Sequence, residues 1–165
     1  MQIAESLLTL AGFAFAHATW SVSDLPKGEL LVPMAIVERS GQRQLLRFEA
    51  ESQELAISEG KAALAQHPEP DAWAFVREGQ LKEVGVYTDV LTVEAKAHGM
   101  GESVVFIQRF RPFAEGKFKL VGQPMVFIGG TALSQEWSAR LLEGLSAGVH
   151  SHAKASEHWL EWSGP

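Results

Sequence analysis

Residues 72–130 read AWAFVREGQLKEVGVYTDVLTVEAKAHGMGESVVFIQRFRPFAEGKFKLVGQPMVFIGG. Four runs in this stretch, Ala72–Arg77, Val84–Ala95, Ser103–Pro112 and Lys117–Ile128, are dense in β-branched, aromatic and other apolar residues. Between them stand Glu78-Gly79-Gln80, His98-Gly99-Met100-Gly101 and Ala114-Glu115-Gly116, each with glycine to turn the chain. Strand-like runs joined by short turns predict an antiparallel meander. The last turn leaves a choice of register. A three-residue loop with Gly116 left-handed sends Phe106, Phe110, Phe118 and Leu120 one way and Arg109, Arg111, Lys117 and Lys119 the other. A two-residue loop mixes arginine with phenylalanine, so the three-residue loop is expected, because it buries one consistent apolar face.

Upstream, Ser52 is placed to cap a helix running to about His67, with Glu51 and Glu54 at its positive end. Ala56, Ile57, Gly60, Ala63 and Leu64 line one face of it. Most are small, and a glycine there costs about 1 kcal/mol of helix propensity relative to alanine, so a close packing contact is expected at Gly60. The linker Pro68-Glu69-Pro70-Asp71 stops this helix. Before it, Leu30–Glu38 and Gln44–Ala50 flank Arg39-Ser40-Gly41-Gln42 and predict a hairpin. Pro33 lacks an amide hydrogen and predicts that the first of these strands is at an edge or bulged. At the start of the chain, Ile3, Leu7, Leu10 and Ala14, with the neighbouring stripe Leu8, Ala11, Phe15 and Ala18, predict a helix buried on a broad face and ended before Asp24-Leu25-Pro26-Lys27-Gly28. Leu7–Ala16 resembles a signal h-region, but Glu5 and the lack of lysine or arginine before it favour a core helix.

Downstream of the meander, Gly129-Gly130 predicts a tight turn, and Ser134 or Thr131 a helix cap. Trp137, Leu141, Leu145 and Val149 form the buried stripe, with Glu136 and Arg140 paired at i,i+4 and Gly148 weakening the end. A last short helix carries Ala155, Trp159 and Trp162 on one side. The order α-β-β-α-β-β-β-β-α-α predicts one α+β domain over residues 1–165, an antiparallel sheet of about five or six strands with helices mainly on one face.

Composition narrows the function classes. The 165 residues carry a formal net charge of −6, 46% hydrophobic residues and no cysteine. Disulfides, thiolate metal sites and a cysteine nucleophile are excluded. Acidity disfavours a nucleic-acid or anionic-membrane partner, and the lack of disulfides is compatible with a cytoplasmic setting. Gly129-Gly130-Thr131 lies at a strand-to-helix junction without a dinucleotide fingerprint or P-loop lysine, so no cofactor is expected.

Few residues suggest chemistry. His98 follows Glu94 by four and is the weak acid–base candidate, set against plain turn chemistry. His150, His152 and His158 with Glu157 lack ligand spacing, so a polar connector and no metal are expected. Arg109, Arg111, Lys117 and Lys119 are the candidate patch for a phosphate-bearing ligand or acidic partner. Trp20, Trp73 and Trp137 are expected in the core. Trp159 and Trp162 either clamp the tail onto the domain or meet another subunit in a homo-oligomer; docking is preferred, since tails need an anchor. The sequence thus points to a non-enzymatic binding or protein-interaction module. The alternatives are a small hydrolase using His and Glu, and a small-ligand carrier with an apolar pocket between sheet and helices.

Overall fold

In the computed structural model, which describes residues 2–66 and 70–164, the elements are α1 (Glu5–Val22), β1 (Met34–Arg39), β2 (Gln42–Arg47), α2 (Gln53–Gln66), β3 (Ala72–Glu83), β4 (Val86–Ala97), β5 (Val104–Arg111), β6 (Lys119–Ile128), β7 (Thr131–Ala132), α3 (Gln135–His150), α4 (Ala153–Ser156) and α5 (Trp159–Ser163). The strands form one antiparallel sheet in the order β2-β1-β3-β4-β5-β6-β7, so the fold is α+β as the strand runs predict. The sheet has seven strands because Gly129 and Gly130, both at positive φ, turn the chain into the two-residue β7.

Several boundaries differ from the sequence reading, each for a local reason. Pro33 precedes β1 instead of lying within it, and β1 is flanked on both sides; β2 is the edge. The missing amide hydrogen is therefore accommodated before the ladder begins. Glu78-Gly79-Gln80 is not a turn. β3 runs through it and reverses at Val84-Gly85, both at positive φ, which closes a two-residue hairpin between Glu83 and Val86. Val84 is an unfavourable residue there and stands fully exposed at the tip. The connection from β5 to β6 is also longer than three residues: Arg111 pairs with Lys119, and Pro112–Phe118 contains a 3₁₀ turn at Phe113–Glu115. The faces still sort as expected, with Phe106, Phe110, Phe118 and Leu120 all buried. The expected end of α2 at His67 and its linker fall partly outside the described residues.

On the first face of the sheet lies α1, buried on nearly all sides, with α3, α4 and α5 beside it. α1 and α3 cross at glycines. A Cβ at Gly12 would overlap the Leu145 carbonyl, and one at Gly148 the Thr9 carbonyl, so the two backbones touch directly. Thus Gly148, a weak helix former, is what permits the crossing. On the second face α2 is the one helix among the described residues. Ser52 caps it through Leu55 N–H (3.1 Å), and its Leu64 joins Ala35, Val37 and Phe75 in a separate small core. Gly60 rests on the Phe75 and Phe48 rings, where a Cβ would collide, as its place on the small face predicts. No helix among the described residues is long and apolar enough to cross a membrane.

Candidate functional site

Alternation along the strands decides what the second face displays. On β3 it carries Trp73 and Phe75, on β4 Thr92, Glu94 and Lys96, on β5 Val105 and Ile107, and on β6 Met125 and Phe127. α2 covers only the β1–β3 side. Where this cover ends, an open groove of about 530 Å³ lies between α2 and the ends of β3 and β4. Its floor is apolar, made by Leu64, Trp73, Phe75 and Met100. Around it stand Lys61, Glu94, Lys96 and His98. An apolar floor with a few polar groups converging on it is the usual form of a ligand site.

The sequence candidates His98 and Glu94 thus border the same groove, but no hydrogen bond joins them among the described residues. Glu94 instead accepts from the Ser103 hydroxyl (2.8 Å), and His98 is exposed on the turn after β4. Neither lysine is paired with a carboxylate among the described residues. Among the described residues the groove presents two ammonium groups, one tied carboxylate, one imidazole and aromatic carbon.

The four cations of the candidate strip are dispersed. Arg109, on the second face, is held bidentate by Glu83 (2.6 and 2.7 Å), whose carboxyl it pulls below the ordinary glutamate value. Arg111 donates twice to the Lys117 carbonyl (2.9 and 2.7 Å). Lys119 leaves the sheet for the end of α5, donating to the carbonyls of Glu161 and Gly164. Lys117 stands on the loop before β6. Pairing of Arg111 with Lys119 confirms that these two share a face, but their side chains are spent on the protein's own oxygens.

Trp159 and Trp162 face inward. Trp162 is buried edge-on to Phe118 (5.7 Å between ring centres), and Trp159 meets Phe15 edge-on (5.3 Å). Trp73 belongs to the second core. Trp20 and Trp137, expected inside, are each 40% exposed. Trp137 is stacked beneath the Arg140 guanidinium (5.2 Å), which shields an exposed indole by a cation–π contact.

One constellation escaped the sequence reading. His152, expected in a polar connector, is buried, and its Nε2 lies 3.0 Å from Nδ1 of His17. The two are 135 positions apart, and only His17's place on the α1 helix face hints that it points inward. Ala155 N–H donates to Nδ1 of His152 (3.0 Å). That nitrogen is therefore unprotonated, Nε2 bears the hydrogen, and His17 Nδ1 accepts it. A metal on His152 Nε2 would require the proton to move to Nδ1, against the Ala155 N–H, so the pair is poorly disposed as a metal site. Among the described residues no three histidine, aspartate or glutamate side chains converge as metal ligands would.

Comparison of the chain with models of protein families, with curated proteins and with solved structures finds no match.

Proposed function

We propose that this protein is a non-enzymatic binding module, and that its recognition site is the groove between α2 and β3–β4. The observation that carries the reading is the groove's make-up: an aromatic floor, Trp73 and Phe75, bordered by Lys61 and Lys96, with Glu94, the one lining carboxylate among the described residues, already tied to Ser103. Such a site favours an acidic segment of a partner protein that inserts an apolar side chain, because the floor rewards burial and the lysines reward negative charge. The half-buried Val105, Ile107, Met125 and Phe127 extend the apolar surface beyond the groove. Partner binding in this reading is assigned to the groove at the β3–β4 end of this face and not to the arginine–lysine strip. The separation of His98 from Glu94 in hydrogen bonding argues against the hydrolase alternative. The setting in this reading is the cytoplasm, in keeping with a fold held without disulfides.

Peptides selected by display on the native protein test the proposal. They are expected to be acidic with an aromatic or aliphatic anchor, to shift the NMR signals of Trp73, Lys96 and His98, and to bind at least about tenfold more weakly to the double variant Lys61→Glu, Lys96→Glu, with the loss shrinking as salt screens the charges. Equal binding to the variant, with its melting temperature unchanged, overturns the reading.

A further inference from the structure

The other face of the sheet holds a second pocket, separate from the groove. β5 and β6 fall out of register between the pairs Ile107–Met125 and Arg109–Val121. Gln108 alone opposes Gly122, Gln123 and Pro124 there. At the bulge the Gln108 amide reaches main-chain carbonyls of both strands. Its Nε2 donates to the carbonyls of Arg109 (2.8 Å), Val121 (3.1 Å) and Gly122 (3.1 Å). Three carbonyl acceptors fix the orientation of the amide, since a flipped amide would set oxygen against oxygen. Oε1 accepts from no protein donor among the described residues; the residue is only 3% exposed, yet Oε1 itself is not fully buried, so what exposure it keeps is open to water or a ligand.

Gln108 lines an open-mouthed cavity of about 370 Å³ between the sheet and the helices α1, α3 and α5, as open to solvent as the groove on the other face. Its base is buried and apolar, including Phe15, Leu120, Leu145 and Val149, while the accessible lining as a whole is more polar than apolar, with Gln123, Ser146 and His150 at the mouth. Among the described residues no aspartate, glutamate, lysine or arginine lines it.

We propose that this cavity is a small-molecule site for a neutral alcohol or phenol with an apolar body. The apolar floor selects the body. The unmet carbonyl of Gln108 selects a hydrogen-bond donor, because both amide hydrogens are already committed to the bulge. The absence of a carboxylate among the lining residues selects a neutral hydroxyl over an ammonium, whose charge would be buried without a partner.

Phenol and toluene are the probes, close in size and shape and differing in the donor. Titrated by NMR into the full chain, phenol is expected to shift the Gln108 side-chain amide, the Leu145 and Val149 methyls and the Trp159 indole, and to bind at least about tenfold tighter than toluene. Ser146→Trp, a change at the exposed mouth, is expected to block these shifts without moving the melting temperature. Gln108→Leu alone is a poor test, since it strands the bulge carbonyls and risks the fold. Equal affinity for phenol and toluene shows an unselective apolar hole and overturns the proposal. Shifts that are absent, or that survive in Ser146→Trp, overturn it as well, leaving a pit filled by water or binding elsewhere.

Discussion

Among the contacts between α1 and the last helices, one joins nitrogen to nitrogen. His17 sits on α1 and His152 caps α4, and their 3.0 Å hydrogen bond requires both imidazoles neutral. A proton on His17 Nδ1 would face the His152 N–H, and a proton on His152 Nδ1 would face the Ala155 N–H. Phe13 and Trp20 enclose the pair, and Arg47 on β2 adds a cation. Burial first, then His152 and Arg47, hold the His17 imidazole below its usual value; burial does the same to His152. Above about pH 6.5, folded and unfolded chains both keep these rings neutral, and their contribution to stability is whole. Below it the unfolded chain binds protons that the folded one refuses, so stability is lost as pH falls toward the depressed folded values. Glu78 acts oppositely: burial raises its carboxyl, so stability is lost as pH rises above the unfolded glutamate value. Comparison of variants separates the two. Urea midpoints measured from pH 7.5 to 5.5 are expected to fall less steeply in His17→Gln, which keeps an acceptor for His152 without a titrating ring. Parallel slopes would show that the pair does not resist protonation.

At the scale of elements, glycines set how closely helices approach. Gly60→Leu forces a side chain into the Phe75 and Phe48 rings and is expected to cost about 1–3 kcal/mol, read as a lower urea midpoint; an unchanged midpoint would mean that α2 does not rest on the sheet there. That contact was legible in the sequence, because a glycine amid Ala56 and Leu64 on a helix face has little other use. The meander was legible too, from alternation that places Phe106, Phe110, Phe118 and Leu120 inside. The length of β3 was not: Gly79 resembles a turn, and only its pairing with Val90 carries the strand onward. Likewise Arg109 and Lys119 read as a free strip, because Glu83 and the α5 carbonyls that engage them are remote in sequence. The border residues Glu94 and His98 were singled out for an acid–base role, whereas their place beside an aromatic floor depends on where α2 lies across β3. Gln108 gave no signal, since a register shift is a property of two strands together.

Across the whole molecule, the tail closes the first face of the sheet. Trp162 covers Phe118, Trp159 covers Phe15, and Lys119 caps the carbonyl end of α5. If these contacts hold the tail down, truncating the buried indole must destabilise the isolated chain. Trp162→Ala is expected to cost about 3–5 kcal/mol, the range for removing a buried aromatic side chain. Leu160 provides the control on the same short helix. It is 86% exposed, so Leu160→Ala should change stability by less than about 0.5 kcal/mol. A tryptophan used instead between subunits would behave differently. Its loss would change the sedimentation of the protein and make the apparent stability depend on concentration, because association and folding would be linked. Urea unfolding of both variants at two protein concentrations, with sedimentation of each, separates these cases. A concentration-independent loss confined to Trp162→Ala is the expected result, and a small or concentration-dependent effect would place the indole at an interface between copies of the chain.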